Sequence, residues 1–478
     1  MVQQDDTDAR PVPLPPMMAL MTALLWLRRD LRLHDLPALL AAHEAGGDVL
    51  PVFVADPVLL ASAGAVRRAH LAAALEELDA AYDGAVVVRV GRPEEEIPRL
   101  VGEVGAGSVH VSRESTPYGR RRDARVERAL GDVPLVATGT PYAVGPGLVR
   151  KADGEPFRVF TPFSRAWREH GWPRPAPVPA GLTWQRGVES SPLPWADESP
   201  LPAVSCGEAT ALARWEEFLA GGLADYNRDR DRPDLDATSQ MSVHLKYGTI
   251  HPRTMLADIA AHPAGRSEGA QRFVTELCWR EFYADVLWHR PESAWSDLRE
   301  ELRGMEYADP EGDAADRVRA WQEGRTGFPF VDAGMRQLLT EGWMHNRVRM
   351  VVASFLVKDL HVWWGHGARY FLAHLRDGDV ASNNHGWQWV AGTGTDPAPY
   401  FRVFNPVAQG ERFDPDGEYV RRYVPELAHV PGGAVHQPWR VPDGLAHGYP
   451  ERIVDHAEER AEALRRYEAA RRRSASPG

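Results

Sequence analysis

Between Thr22 and about Thr140, short apolar runs alternate with stretches that have the length and spacing of helices. The apolar runs are Ala23–Leu27, Val49–Val54, Ala85–Val90 and Ser108–Val111. The stretches between them are Pro37–Ala45, Ala65–Ala80, Glu94–Glu103 and Arg120–Leu130. Strands that alternate with helices of this length predict an α/β domain with a doubly wound parallel sheet, because parallel neighbours need a helical crossover.

From Glu208 onward, β-branched runs are scarce and helical spacing dominates, as in Ala209–Leu219, Arg272–Leu287, Phe330–Leu339, Arg347–Val362 and Ala368–Leu375. Residues 142–205 are rich in Pro, Gly and Ser, which is typical of a long connector with little regular structure. We therefore predict an α/β domain that a long linker joins to an all-α domain. The expected boundaries are a disordered leader at 1–20, the α/β domain at 21–141, the linker at 142–207, the helical domain at 208–470 and a tail at 471–478.

Composition limits the setting in which the chain works. The 55 Lys and Arg residues against 67 Asp and Glu residues give a net charge of −12, which argues against a nucleic-acid partner unless a local basic patch overrides the mean. The apolar run Met17–Leu27 is too short to cross a bilayer, so no membrane partner is expected. With only two cysteines, a reducing compartment is indicated, and we expect the cytoplasm.

Two motifs in the helical half could carry chemistry. Asp236–Ser242 places hydroxyl groups where a loop is predicted to become a helix, which suits a phosphate or an ordinary helix cap. Glu276, Trp279, Arg280 and Tyr283 share one face of a predicted helix, which indicates either an aromatic core or a polar cavity.

Further along, Asn346 and Met350 lie one helical turn apart, with Arg347 and Arg349 beside them. His345 has no second ligand at a suitable spacing, so no metal site is predicted.

Asp377-Gly378-Asp379 could bind magnesium or a hydroxyl group, or form a surface turn. Taken alone, Arg402 and Arg412 would be interpreted as salt-bridge partners.

The order and spacing of these motifs are more specific than any one of them. The segments "EGRTGFPFVDAGMRQLLTEGWMHNRVRMVVASFLVKDL" and "DGDVASNNHGWQWVAGTGTDPAPYFRVFNPVAQGERF", within Glu323–Phe413, resemble the photolyase/cryptochrome family. "WLRRDLRLHDLPAL" at Trp26–Leu39 and "GEPFRVFTPFSRAW" at Gly154–Trp167 resemble its first strand and its interdomain segment. The resemblance extends from about Leu24 to Ala470.

The resemblance implies that the helical domain binds FAD, which is reduced in the active form. Asn383 would lie at flavin N5, and Arg349 would pair with Asp377. The residues implied in cofactor binding are Tyr226, Thr238, Ser239, Gln240, Met241, Ser242, Arg280, Arg349, Asp377, Gly378, Asp379 and Asn383.

The resemblance also implies a substrate, which is UV-damaged DNA that contains a cyclobutane pyrimidine dimer. Light-driven electron transfer from reduced FAD would open the dimer. The residues that would contact the dimer or take part in the reaction are Glu276, Trp279, Asn346, Met350, Asn383 and Trp389. Arg230, Arg347, Arg402 and Arg412, with the two indoles of Trp279 and Trp389, would bind the DNA.

Family members reduce the flavin through a relay of aromatic side chains. Trp387 matches the residue nearest the flavin and Trp364 the middle one, while the best alignment places Tyr307 at the distal position. Trp321 and Trp363 are alternatives for that position.

The N-terminal domain of the family carries a second chromophore, the antenna. Phe53, Asp56, Glu114 and Lys246 match antenna positions and favour 8-hydroxy-5-deazaflavin, with methenyltetrahydrofolate or no antenna as alternatives.

A cryptochrome photoreceptor and a (6-4) photoproduct photolyase are the competing functions. Asn383 favours repair over signalling, since photoreceptors of the plant and insect types tend to carry Asp or Cys at this position. Met350 occupies a position where a (6-4) enzyme is expected to carry histidine. The resemblance further implies a monomer without a metal.

Overall fold

The computed structural model describes residues 21–193, 201, 204–396 and 402–475. The N-terminal part contains five strands: β1 (Ala23–Leu27), β2 (Val49–Ala55), β3 (Val87–Val90), β4 (Ser108–Val111) and β5 (Leu135–Ala137). They form one sheet in the order β3-β2-β1-β4-β5, and every neighbouring pair is parallel. The predicted α/β fold with a parallel sheet is therefore confirmed.

Helices cover both faces of this sheet, because successive side chains of a strand point to opposite sides. Ala23, Leu25 and Leu27 of β1 belong to one apolar cluster, and Leu24 and Trp26 belong to another. The helices of this part are α1 (Pro37–Glu44), α2 (Pro57–Ala61), α3 (Ala65–Ala81), α4 (Pro93–Val104) and α5 (Pro117–Leu130).

The four predicted strands and the four helices predicted between them are present, with small shifts at their ends. Strand β5 was not predicted, because it has three residues and none of them is buried.

Helices make up the described chain from Glu208 onward, as predicted, and one further helix, α6, lies in the connector. They are α6 (Phe160–His170), α7 (Glu208–Gly221), α8 (Tyr226–Asp229), α9 (Met241–Tyr247), α10 (Pro252–Ala261), α11 (Glu268–His289), α12 (Ala315–Gln322), α13 (Pro329–Glu341), α14 (Asn346–Ser354), α15 (Trp364–His374), α16 (Val380–Ala391), α17 (Pro406–Phe413), α18 (Glu418–Tyr423) and α19 (His456–Ala475). Short 3-10 turns lie at Pro291–Ala294, Glu300–Leu302, Pro425–Leu427, Gly432–His436 and Pro438–Arg440.

One sequence prediction about regular structure is wrong. Arg347–Val362 is not one helix, since α14 ends at Ser354 and a π-helical turn follows over Phe355–Asp359. The described part of the connector has little regular structure, as predicted, apart from α6, which forms because Phe163 and Trp167 are buried and pack with the apolar residues of α11.

The predicted leader at 1–20 lies outside the described residues. Within the described ranges, no helix combines the length and the apolar character needed to span a bilayer. The same ranges hold no group of three or more His, Cys, Asp or Glu side chains arranged to bind a metal.

Candidate functional site

Helix α16 starts at a carboxylate that also joins the two domains. Asp379 accepts a hydrogen bond from the Ser382 N–H at 3.0 Å and pairs with Arg29, which follows β1, at 2.8 Å. Burial opposes ionisation of Asp379, but the charges of Arg29 and Lys246 outweigh burial and hold its pKa well below the usual range. Asp379 therefore acts as a helix cap and as an interdomain anchor, besides its predicted cofactor role.

Asp377, just before α16, forms the ion pair with Arg349 that the family resemblance implied, at 2.8 Å. The Nε of Arg349 also donates to the Met344 carbonyl at 2.7 Å, which fixes the guanidinium. The second carboxylate oxygen of Asp377 is buried and accepts no hydrogen bond from the described part of the chain. Because an unpaired buried oxygen is costly, this atom is suited to accept a hydrogen bond from a bound ligand. Between the two aspartates, the Gly378 carbonyl accepts from Arg67 at 3.5 Å.

Asn383 lies one turn into α16 and is held in a defined orientation. Its amide Nδ2 donates to the Ala368 carbonyl at 3.1 Å and to Asn384 Oδ1 at 2.8 Å. Asn384 is buried and donates in turn to the Ala294 carbonyl. These bonds use the N–H groups of Asn383, so the carbonyl of the side chain is directed away from them.

The predicted phosphate-binding segment is a short loop that ends in α9. Ser239 is buried and its hydroxyl accepts from the Met241 N–H at 3.3 Å, while Gln240 adopts a left-handed backbone conformation with φ of 57°. Arg214 stabilises the loop by donating to the Thr238 carbonyl at 3.0 Å. Ser242 is exposed and accepts from the Trp343 indole at 3.4 Å, which brings α9 next to the turn before α14.

Two other predicted cofactor residues have partners within the protein. Tyr226 is buried against the rings of Phe218 and Phe273. The Arg280 guanidinium donates to the carbonyls of Pro141 and Leu245 at 2.9 and 3.0 Å. Arg280 therefore joins α11 to the end of the α/β domain and to α9.

Trp279, which is predicted to contact the dimer, packs against several aromatic rings. Its indole stacks on Phe160, with ring centroids 3.6 Å apart and planes 6° from parallel. On the same helix, Tyr283 stacks against His385 of α16 at 5.6 Å, so α11 and α16 face each other. Phe160 was not singled out from the sequence. Its position in the quoted interdomain segment was the available signal.

Three of the arginines predicted to bind DNA have contacts that position them: Arg230 pairs with α11, and Arg347 and Arg412 share one aromatic ring. Arg230 forms an ion pair with Glu276, and Arg347 pairs with Asp231 at 2.7 Å. The Arg347 and Arg412 guanidinium groups lie 4.4 and 5.0 Å from the centroid of the Phe413 ring, so this ring brings the two arginines together. The sequence interpretation missed Asp231 and Phe413.

The remaining residues predicted to meet the substrate or DNA differ in exposure. Asn346 and Arg402 are exposed, whereas Met350 and Trp389 are half-buried and pack on the apolar core of the helical domain.

The predicted electron relay is partly contiguous. Trp387 and Trp364 are buried in the same apolar cluster, and Trp363 lies 5.2 Å from Trp364, ring centroid to ring centroid. Tyr307 packs with a separate cluster that includes Tyr467. Of the distal candidates named from the sequence, Trp363 is therefore the one in ring contact with Trp364.

Two of the predicted antenna residues, Glu114 and Lys246, belong to a charge cluster with Arg29 and Asp379 between the two domains. Burial opposes ionisation of Glu114, but Arg29 and two neighbouring arginines outweigh it and lower its pKa to about 2. Burial lowers the pKa of Lys246 to about 7. Phe53 is buried, and Asp56 accepts from the Tyr118 hydroxyl at 2.6 Å.

Comparison with known proteins identifies the family. Residues 23–180 match the family described as DNA photolyase, and residues 273–469 match the FAD binding domain of DNA photolyase. A relative from Streptomyces griseus is 42% identical to this chain, over 94% of the chain and 99% of the relative. The chain therefore belongs to the DNA photolyase family. The Streptomyces relative is named deoxyribodipyrimidine photo-lyase.

Solved structures agree with this assignment. A bacterial class III photolyase from Agrobacterium tumefaciens has a TM-score of 0.87 at 36% identity, covering 97% of this chain and 99% of that one. An archaeal photolyase from Sulfolobus tokodaii, described with two FAD molecules, has a TM-score of 0.81 at 30% identity, covering 94% and 100%.

Proposed function

We propose that this chain repairs cyclobutane pyrimidine dimers in DNA by light-driven electron transfer, with reduced FAD bound in the helical domain. The observation that carries the proposal is the position of α16, whose 12 residues include Asn383, Trp387 and Trp389. This helix lies between the Arg349–Asp377 pair at its start and α11, which carries Trp279. Names of relatives at 36–42% identity over most of the chain support the same function.

The donor set around α16 fits a flavin. The unpaired oxygen of Asp377 can accept a hydrogen bond from a flavin N–H, and the ion pair with Arg349 holds this carboxylate in place. The neutral amide of Asn383, fixed by Ala368 and Asn384, would face the flavin without a charge. Bound reduced FAD supplies, on excitation, the electron that opens the dimer and is afterwards returned.

The substrate must leave the duplex to reach this site, because the reacting bases of a duplex are stacked inside it, and photolyases are among the enzymes that act on flipped bases. The stacked pair of Trp279 and Phe160 offers a rigid aromatic platform for the extruded bases. Glu276, whose carboxylate is held by Arg230, can accept hydrogen bonds from the base edges.

The arginines at the pocket edge would bind the phosphates on either side of the lesion. Arg230 pairs with Glu276, on the helix that carries Trp279, while Arg347 and Arg412 both contact Phe413. Arg402 is exposed on the segment before α17. Phosphate binding needs a local basic surface, so the net charge of −12 does not oppose it. We also propose a cytoplasmic monomer divided at 21–141, 142–207 and 208–470.

Repair of a defined substrate tests the function. Protein reconstituted with FAD and reduced is mixed with a duplex that contains one thymine dimer, and intact thymines are measured by chromatography after blue light. We expect conversion under light and none in the dark. A protein that binds FAD but leaves the dimer unchanged would contradict the proposal and favour a photoreceptor. If the protein instead converted a (6-4) photoproduct, that lesion would be its substrate.

Replacement of Trp279 with alanine tests the platform. Because base–aromatic stacking contributes about 1–3 kcal/mol per base, affinity for dimer-containing DNA should fall roughly 5- to 150-fold. FAD content should be unchanged, and Trp295→Ala, at an exposed tryptophan outside the pocket, should bind like the parent. Fluorescence anisotropy measures both affinities. Equal binding by Trp279→Ala and the parent would remove this residue from the site.

We further propose that the interdomain charges hold the antenna and that it is 8-hydroxy-5-deazaflavin. Lys246 and Arg29 would provide cationic groups for its acidic hydroxyl, and the half-buried Glu114 would provide an acceptor. The second FAD in the description of the Sulfolobus tokodaii structure makes a flavin another candidate.

Protein produced in a deazaflavin-synthesising host should show a visible absorption band in addition to that of FAD. Lys246→Met should lose most of this band, since its ammonium would no longer face the bound anion, while the exposed Lys151→Met should keep it. A near-ultraviolet folate band in the parent would replace the deazaflavin assignment. Retention of the visible band in Lys246→Met would exclude this lysine.

A further inference from the structure

The π-helical turn Phe355–Asp359 contains two fully buried charged residues, Lys358 and Asp359. A π turn inserts a residue relative to an α-helix and so redirects the side chains that follow it, and such turns often occur at functional sites. His456 Nδ1, at the start of α19, lies 2.5 Å from the Asp359 carboxylate. Neither charged residue contributes to the flavin, dimer or relay positions described above.

Lys358 reaches the backbone of the segment 402–405, which precedes α17 and has no regular structure. Its ammonium donates to the Arg402 carbonyl at 3.0 Å, although the Arg402 side chain itself is exposed. One turn before Lys358, the Ser354 hydroxyl accepts from the Phe404 N–H at 3.4 Å. Buried residues on either side of the start of the π turn therefore hold two points of this segment.

The consequences of these bonds extend into α17. Asn405, the last residue of the segment, caps α17 by accepting from the N–H groups of Val407 and Ala408. Helix α17 carries Arg412, which shares the Phe413 ring with Arg347. Bonds that hold the segment 402–405 therefore position the backbone of Arg402 and the start of the helix that carries Arg412.

Burial of the Lys358 ammonium is unfavourable, and it lowers the pKa of this lysine to about 7. An apolar side chain of similar length would fill the same space without this cost. Such a side chain could not donate a hydrogen bond to a carbonyl, which indicates that the advantage of the lysine lies in the backbone geometry of the segment 402–405.

We propose that Lys358, assisted by Ser354, is a positioning residue that sets the backbone at Arg402 so that the exposed guanidinium meets a DNA phosphate. This inference rests on the proposed function, in which Arg402 binds the DNA backbone. Lys358 acts through Arg402 and does not itself touch the substrate.

A double-mutant cycle tests the inference, with FAD-loaded protein and a dimer-containing duplex over a series of salt concentrations. Arg402→Ala should weaken binding about tenfold and reduce the slope of log affinity against log salt by about one, as expected for one lost phosphate contact. Lys358→Met should weaken binding about fivefold with a similar change of slope. The double variant should bind no worse than Arg402→Ala within about twofold.

Lys151→Met is the matched control, because it removes the same charge from an exposed position. FAD content and melting temperature show whether each variant is folded. If Lys358→Met does not retain FAD, Ser354→Ala replaces it, and its weaker binding should disappear in the Arg402→Ala background.

The possible results distinguish failure of the positioning role of Lys358 from failure of the proposed repair function. Parent-like binding by Arg402→Ala would remove the assigned phosphate contact and the inference with it, while repair by the parent under blue light would still stand. A clear loss in Arg402→Ala with parent-like binding by Lys358→Met, or by Ser354→Ala in its place, would overturn the positioning role. Additive losses in the double variant would overturn it as well.

Discussion

Replacing Trp387 with phenylalanine is expected to abolish light-driven reduction of bound oxidised FAD, while FAD content and repair by chemically reduced protein remain at parent levels. Trp387 is buried one helical turn after Asn383, the residue proposed to face the flavin. An indole gives up an electron much more readily than a benzene ring, so phenylalanine keeps the packing and removes the donor. Phe371, 5.0 Å from Trp387 between ring centroids, cannot take over this role for the same reason.

The packing around Trp387 indicates where its electron would come from. A Cβ atom added to Gly367 would clash with Trp387 Cη2, so the indole rests directly on α15. Trp364 lies three residues earlier on this helix, and its indole Nε1 donates to Asp297 at 2.6 Å. A carboxylate at this distance stabilises the cation that forms when the indole is oxidised. Trp363 then continues the row toward a half-exposed position.

Steady-state and transient absorption measure how fast the bound oxidised flavin is reduced under light in each variant. Under blue light with an external thiol, the oxidised flavin band should bleach in the parent and persist in Trp387→Phe. Trp364→Phe should be strongly slowed, and Trp363→Phe should be slowed more than Tyr307→Phe, which lies in a separate cluster. Unchanged photoreduction in Trp387→Phe would contradict the relay but leave the repair function standing.

The parallel sheet could be predicted because its strands and helices are each recognisable from their own residues. Strands β1 and β2 are buried along their whole length, and such runs are recognisable as apolar stretches of strand length. Helix α6 was missed because its signal lies in contacts with α11, while Pro and Gly dominate the composition around it. The π turn was missed for a related reason, since one inserted residue leaves helical spacing almost unchanged over Arg347–Val362.

The same holds for the candidate site: single residues could be predicted from the sequence, but their partners far away in the chain could not. Resemblance supplied single residues, including the Arg349–Asp377 pair, but it could not supply the partners that fold these residues into place. Arg29 is 350 positions from Asp379 in the chain, and Phe160 belongs to the connector rather than to the helix of Trp279. Such long-range pairs leave no periodic trace in one sequence, so the structure was needed to find them.

Replacing Asp377 with alanine is expected to give a protein that purifies almost without FAD. The substitution removes the buried carboxylate oxygen proposed to bind the flavin, and it leaves the Arg349 guanidinium without its partner. Breaking a buried ion pair from one side destabilises a protein by about 3–5 kcal/mol. We expect the lower end of this range, because the Arg349 side chain is 24% exposed and water screens part of its charge.

Asp377→Asn provides the graded comparison, since it keeps the shape and one acceptor oxygen while losing the charge. We expect its FAD content to lie between those of Asp377→Ala and the parent, whereas Asp316→Ala, at a carboxylate that is 94% exposed, should keep parent FAD content and stability. Absorbance ratios give the bound FAD, and denaturant unfolding of the FAD-free proteins gives the stability separately. If Asp377→Ala lost stability but bound FAD with parent affinity, Asp377 would be a structural partner of Arg349 alone. The flavin would then have to be held by the loop 238–242 and by Asn383, and α16 would remain near the cofactor without its predicted carboxylate contact.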